Sequence, residues 1–154
     1  MHLNIGDRAP DFSLPCETGE LISLSSFEKY KVVLYFYPKD LTPGCTVEAE
    51  EFKASNESFS AVNTQIIGVS RDSITKHKTF ITKYDLPFPL ISDSEAILCQ
   101  AYGVWVEKKN YGRTYMGIER ATFFIDENRT ILNIWRKVKV KGHVSQVLEN
   151  VIAS

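Results

Sequence analysis

Hydrophobic and polar positions change their period several times along the chain, and each change marks an element. Residues 9–24 alternate around Phe12-Ser13-Leu14 and again around Leu21-Ile22-Ser23-Leu24, with Glu17-Thr18-Gly19-Glu20 between them. That pattern predicts a β-hairpin with Cys16 in its loop, exposed to solvent. Val32 to Tyr37 carries β-branched, aliphatic or aromatic residues and no charge, which is how a strand covered on both faces reads. Pro38, Thr42, Pro43 and Gly44 then punctuate a loop, and Cys45 to Phe59 returns to helical spacing with acidic residues early. Thr64 to Ser70 reads as a second short strand. Ile74, His77, Phe80, Ile81 and Tyr84 follow as one helical stripe, giving the βαβ rhythm of a parallel sheet.

Pro87 and Pro89 break the next apolar segment, and Ser92-Asp93-Ser94-Glu95 is an N-cap signal for a helix reaching Tyr102. Residues 103–119 are polar and contain glycine, so a loop or short edge structure is expected there. Ala121 to Ile125, Asp126 to Arg129 and Thr130 to Trp135 read as strand, turn and strand. Lys137, Lys139 and Lys141 alternate with Val138 and Val140, the pattern of a strand edge with one wet face. Val144, Val147, Leu148, Val151 and Ile152 line one stripe of a closing helix. The order is hairpin, then βαβα, then ββα. It predicts an α/β, thioredoxin-like fold: a central mixed β-sheet flanked by helices, with an N-terminal β-hairpin extension, forming a single domain over 1–154.

Composition narrows the function classes. In 154 residues, 44% hydrophobic and 12% aromatic content suffices for one sizeable core without a second domain. A formal charge of -1 gives no global attraction to nucleic acid or an anionic membrane surface, and neither is expected as a partner. The start of the chain lacks the basic and apolar run of a signal peptide, and no stretch approaches a membrane span, so the expected location is cytoplasmic. The three cysteines, at 16, 45 and 99, are odd in number and widely spaced, unlike the paired framework of a small secreted domain. His2, His77 and His143 have no neighbour at metal-ligand spacing, so no metal or other cofactor is expected, and His77 reads as a packing or capping residue.

The chemistry concentrates at Cys45. It falls just past the end of a buried strand and at the start of a helix, where unpaired N–H groups and the positive end of the helix dipole favour an anion. Open α/β sheets place their active sites at this junction. Thioredoxins carry Cys-x-x-Cys here, but this chain has Cys45-Thr46-Val47-Glu48, with no partner cysteine.

Pro38-Lys39-Asp40-Leu41-Thr42-Pro43-Gly44-Cys45 resembles the active-site motif of peroxiredoxins: a proline, a threonine four on, and a cysteine three further. Phe36-Tyr37-Pro38-Lys39-Asp40, Thr46 to Phe52, Tyr102-Gly103-Val104-Trp105, Gly117 to Asp126 and Lys139 to His143 extend the resemblance to the subgroup called PrxQ or bacterioferritin comigratory protein. It covers essentially the whole chain, in order. The resemblance implies a thiol-dependent peroxidase that reduces hydrogen peroxide and organic hydroperoxides without metal, flavin or haem. It makes Cys45 the peroxidatic cysteine, oxidised to a sulfenic acid. Thr42 would hydrogen-bond the peroxide and the thiolate, Arg120 would bring its guanidinium beside the sulfur, Pro38 would shield the site from water, and Glu48, one turn after Cys45, would orient Arg120. It also suggests a monomer.

A reactive thiol alone is not enough. A thiol of pKa near 8.5 is about 3% ionised at neutral pH, so full ionisation gains roughly 30-fold, or about 2 kcal/mol. Donors aimed at the developing charge must supply the rest; the candidates are Arg120, Thr42 and the backbone N–H groups of Gly44 and Cys45. In one respect the chain departs from many members of the subgroup, which carry a resolving cysteine five residues after the peroxidatic one, where this chain has Glu50. The internal alternatives are Cys99, read as a packing cysteine, and Cys16. The expected cycle therefore uses an external thiol such as thioredoxin, glutaredoxin or glutathione. Two other functions fit the same residues less well: a thiol-disulfide oxidoreductase, which lacks a second cysteine near Cys45, and a non-enzymatic redox sensor or chaperone on the same fold.

Overall fold

A computed structural model describes residues 2–154. The elements are β1 (Ser13–Pro15), β2 (Leu21–Ser23), a 3-10 turn (Leu24–Phe27), β3 (Lys31–Phe36), α1 (Pro43–Ala61), β4 (Thr64–Ser70), α2 (Ile74–Tyr84), β5 (Leu90–Ser92), α3 (Ile97–Ala101), β6 (Trp105–Asn110), β7 (Arg113–Ile118), β8 (Ala121–Ile125), β9 (Ile131–Trp135) and α4 (His143–Ala153). Five strands form one mixed sheet in the order β5-β4-β3-β8-β9. β3 lies at its centre, parallel to β4 from Lys31↔Thr64 to Phe36↔Val69 and antiparallel to β8 from Val32↔Ile125 to Phe36↔Ala121. This is the thioredoxin-like order, with β1 and β2 as the additional N-terminal hairpin.

The uncharged run from Val32 to Tyr37 is buried throughout, because successive side chains enter cores on opposite faces of the sheet. Val32, Leu34 and Phe36 join Ile67, Val69 and Phe123 in one core. Val33, Tyr35 and Tyr37 pack with Phe52, Phe59, Phe80, Phe124 and Val147 in the other. At about 1.5–3 kcal/mol for each large apolar side chain buried, against about 1–2 kcal/mol of backbone entropy per residue, a strand covered on one face would barely break even. Burial on both faces makes β3 a stable platform for the loop that follows. Gly68 in β4 permits the tight packing beneath it: an added Cβ would meet Leu90 Cδ2 at 2.7 Å and the Tyr35 ring at 3.1 Å.

Several expectations need correction. Residues 103–119 are not loop: β6 and β7 form a hairpin from Trp105↔Ile118 to Asn110↔Arg113. It turns on Tyr111 and Gly112, both at positive φ (51° and 76°), as a tight two-residue hairpin turn requires. Its side chains are mostly exposed or half-buried, so no apolar alternation marks it. Cys16 is buried rather than exposed, at 4% accessibility, because its backbone bridges to Ile91 of β5 and lays the hairpin end against the sheet. Lys137 to Lys141 is not a strand; the lysines are exposed and the valines half-buried along an irregular segment. The helix expected up to Tyr102 is only α3, and Ala96 before it adopts the left-handed conformation (φ 59°). Asp93 still caps it, its carboxylate accepting from the N–H groups of Leu98 and Cys99 (3.1 and 2.8 Å).

Candidate active site

The start of α1 follows from its local sequence. Thr42 is extended (φ −81°, ψ 154°) and Pro43 occupies the first helical position, where its missing N–H costs nothing. The first helical bond runs from Thr46 N–H to the Thr42 carbonyl at 2.9 Å. The amides of Gly44 and Cys45 precede that ladder and have no intrahelical acceptor. They stand at the positive end of a 19-residue helix. The Cys45 side chain lies there, in a residue 2% exposed.

Arg120 arrives from the junction between β7 and β8. Its carbonyl accepts a hydrogen bond from Val138 N–H at 3.0 Å, so the irregular lysine-rich segment holds the arginine backbone. Its guanidinium forks: Nη2 donates to Cys45 Sγ at 3.4 Å, and Nη1 to Glu48 Oε1 at 2.6 Å. Glu48 lies three residues after Cys45 on the same face of α1, with its side chain fully buried. The two acceptors thus fix both ends of one planar cation. Gly44 sits beneath it, since a Cβ there would stand 3.4 Å from Nη2.

The electrostatics are finely opposed. Burial pushes the Glu48 carboxyl up to about 7, while Arg120 pulls it down. Burial also opposes the Arg120 charge, but Glu48 and Cys45 outweigh it and hold the guanidinium protonated. Glu48 Oε2 and the Tyr35 hydroxyl are buried beside this pair without a hydrogen-bond partner. Tyr35 keeps its proton, its phenol pushed upward first by burial and then by the charges of Glu48 and Cys45. Close by, Thr122 Oγ1 and His143 Nε2 are 2.7 Å apart, and burial together with the Arg120 charge pushes His143 down to about 4.

Cys45, Glu48 and Arg120 are therefore in contact with one another, and Thr42 and Pro38 lie apart from that cluster. The Thr42 hydroxyl donates to the Lys39 carbonyl at 2.8 Å and does not cap α1 with its side chain. Pro38 is itself exposed and forms the wall of a cleft of about 280 Å³ with Lys39, Arg71, Trp105, Lys108 and Tyr115. Cys99 lies in the core on one face of the sheet and Cys45 in the core on the other, so the sheet separates them. Burial, with Asp93 beside it, pushes the Cys99 thiol far up. All three cysteines are free.

Sequence reasoning missed the buried contact between Asp40 and His77 (2.6 Å) and the hold of Val138 on Arg120. The first left a trace: one ring with two polar nitrogens on an otherwise apolar helical stripe, and a carboxylate three residues after Tyr37, the end of the uncharged run. The second left only the lysine-valine alternation.

Comparison with known proteins agrees with this geometry. The profile of the AhpC/TSA family matches residues 5–134. Peroxiredoxin Bcp of Bacillus subtilis is 51% identical over 149 residues, covering 97% of this chain and 95% of the relative. A cysteine-to-serine mutant of PrxQ from Xylella fastidiosa superposes with a TM-score of 0.94 at 42% identity, covering 99% of this chain and 98% of the other. A Xanthomonas campestris bacterioferritin comigratory protein, solved in a study of its alkyl peroxide reduction activity, gives a TM-score of 0.88 at 41% identity over 92% of this chain and 90% of its own. Among the described residues no helix is long and apolar enough to cross a membrane.

Proposed function

Because the chain belongs to the AhpC/TSA family and is a peroxiredoxin, a thiol-dependent peroxidase, we propose that Cys45 is the sulfur that reduces hydrogen peroxide and organic hydroperoxides, with Arg120 as its principal electrostatic partner. The observation that carries this reading is the forked guanidinium, 3.4 Å from Cys45 Sγ and 2.6 Å from the Glu48 carboxylate. Cys45 stands at the helix N-terminus and against the Arg120 guanidinium, and its sulfur reacts as the thiolate. The thiolate attacks the terminal peroxide oxygen, the S–O bond forms as the O–O bond breaks, and the departing oxygen takes a proton to leave as alcohol or water. Cys45 is left as a sulfenic acid.

Charge moves from sulfur to oxygen in this step. The free amides of Gly44 and Cys45 and the Arg120 guanidinium are donors already in position, so little reorganisation accompanies the reaction. The Thr42 hydroxyl, committed to Lys39 in the resting site, turns to the peroxide once that oxygen competes for it. Glu48 holds the Arg120 fork in plane, and Pro38 forms the outer rim. One donor of this kind contributes about 10²–10³ in rate, so two or three supply what ionisation alone cannot.

The sulfenate is recycled by an external thiol, thioredoxin, glutaredoxin or glutathione. This is supported by the placement of Cys99 behind the sheet, by the attachment of Cys16 to β5, and by Glu50 at the usual resolving position. Every side chain of the site comes from one chain, which suits a working monomer, and three free thiols suit the reducing cytoplasm. The test is mass spectrometry under non-reducing conditions after one equivalent of peroxide, with a sulfenate-trapping dione present. The expected product is the adduct on Cys45, absent in Cys45→Ser, which has no turnover. An internal bridge from Cys45 to Cys99 or Cys16 would overturn external recycling.

A further inference from the structure

The cleft beside Pro38 carries three cations, and they are held differently. Arg71 is committed: its Nε and Nη2 donate to the Ser94 carbonyl at 3.2 and 3.0 Å, and its guanidinium lies 4.8 Å from the centre of the Trp105 ring. Lys39 is exposed. Lys108 is half-buried between the exposed Glu107 and Lys109 of β6, and among the described residues its ammonium has no ion-pair partner.

The hairpin sets the direction of that side chain. Lys108 pairs with Tyr115 and Val106 with Gly117, so Lys108 and Gly117 are diagonal neighbours across the ladder. A Cβ on Gly117 would stand 3.2 Å from Lys108 Cδ and 3.5 Å from Cε, so the lysine stem lies across the glycine. It therefore runs away from the tip at Tyr111 and Gly112 and toward the end of β7 that leads to Arg120. The ammonium meets charge from every side: Arg120 and Cys45 of the site, Glu119 beside Arg120, and Arg71 and Lys39 across the cleft. Burial first and the Arg120 charge second push it below the usual lysine value, while Cys45 and Glu119 act against that.

Breaking the O–O bond leaves an oxyanion that must take up a proton, and the groups around Cys45 hold theirs. Arg120 stays charged and the backbone amides do not ionise. His143 is neutral, with Nε2 facing Thr122. Thr42 carries a hydroxyl as reluctant to ionise as the alcohol that leaves. Lys108 has a proton to give: lysine ionises near about 10.4 and water near about 15.7, so the transfer to a departing hydroxide or alkoxide runs downhill. We propose that Lys108 is the general acid of peroxide reduction, reaching the departing oxygen from the cleft and handing it a proton as the O–O bond breaks. The step balances as Cys45-S⁻ plus R-O-OH plus Lys108-NH₃⁺ giving Cys45-SOH plus R-OH plus Lys108-NH₂. The sulfur is oxidised, the peroxide is reduced, and the amine regains its proton from solvent before the next turnover. The scheme rests on Cys45 as the reacting sulfur.

Two oxidants that differ in their need for that proton test the assignment. Hydrogen peroxide releases hydroxide, a strong base that leaves as it is protonated; peracetic acid releases acetate, a weak base that leaves without a proton. Oxidation by each is followed by stopped flow at neutral pH on the folded protein. General acid catalysis contributes about 10²–10⁴-fold, so Lys108→Met is expected to slow hydrogen peroxide by roughly thirtyfold or more while peracetic acid changes less than threefold. The ratio of the two rates decides: a fall of tenfold or more supports the general acid, and a smaller fall overturns it. Both rates dropping together, as disturbed packing or a weakened thiolate would make them, leaves the ratio unmoved and so counts against it. Lys109→Met removes the same charge one residue along the strand, and a ratio falling as far there overturns the assignment to Lys108. Should Lys108→Met not fold, Lys108→Gln is held to the same tenfold line. Cys45→Ser run alongside keeps the readings apart: oxidation surviving there refutes Cys45 as the reacting sulfur, whereas its loss there with an unmoved ratio in Lys108→Met refutes only the general acid.

Discussion

Replacing Arg120 with methionine removes the cation and keeps most of the side-chain volume. Two consequences can be worked separately. The Nη2–H···S contact of 3.4 Å is a hydrogen bond from a charged donor, worth about 1.5–3 kcal/mol. At about 1.4 kcal/mol per tenfold this slows the reaction with hydrogen peroxide roughly 10- to 150-fold. The loss of Arg120 also strands Glu48, whose side chain is fully buried, and removing one partner of a buried pair costs about 3–5 kcal/mol unless the other neutralises. Glu48 does neutralise, because its carboxyl already stands at about 7 with Arg120 present and rises further without it. A carboxyl raised above its unfolded value of 4.5 has its full stability below that value and loses about 1.4 kcal/mol per pH unit as pH climbs to the folded value. In the native protein this slope ends near 7; in Arg120→Met it continues above 7. Urea unfolding from pH 5 to 9 measures the slope, and stopped-flow fluorescence measures the rate. Arg120→Met/Glu48→Gln should flatten the pH slope and recover stability while the rate stays low. A folded Arg120→Met that reacts within threefold of the native rate, or a double variant that regains the rate, refutes the assignment of Arg120.

Cys16→Ser and Cys99→Ser should each retain most peroxidase turnover with thioredoxin as reductant, measured by NADPH consumption in a thioredoxin-coupled assay; loss of turnover in Cys99→Ser overturns the one-cysteine cycle. His143, pushed down to about 4 by burial and Arg120, is neutral in the fold. Its contribution is present above the ordinary value of 6.5 and lost as pH falls toward 4, at most about 3 kcal/mol before solvent screening, so His143→Asn should flatten the stability profile in that window on urea titration. Gly68→Ala forces a Cβ to within 2.7 Å of Leu90 Cδ2 and 3.1 Å of the Tyr35 ring, and should cost about 1–3 kcal/mol of stability by thermal unfolding, with the peroxide rate falling less than the stability.

What the chain order determined by itself was local. Six uncharged residues in succession can be satisfied only between two cores, and β3 is such a strand. Proline and glycine after it must end the strand, so the helix start and Cys45 at its tip were legible, as was the likeness of the Pro38–Cys45 motif to the peroxiredoxin one. Glu48 followed too, since helical spacing alone places it on the face of Cys45.

The tertiary structure decided the features whose partners lie far along the chain, with Arg120 brought to Cys45 beforehand only by the likeness to peroxiredoxins and not by any local pattern. Arg120 reaches Cys45 across 75 residues, and Asp40 reaches His77 across 37; both contacts depend on how β3, β4 and β8 pair, which no local periodicity encodes. Cys16 is covered because β5 comes to it, not because its own neighbours are apolar. The hairpin of β6 and β7 carried no alternation to read, since its side chains stand largely in solvent and its strands are held by backbone hydrogen bonds to each other. Apolar periodicity records burial against the chain's own core, and elements or contacts built from hydrogen bonds and charge leave little of it behind.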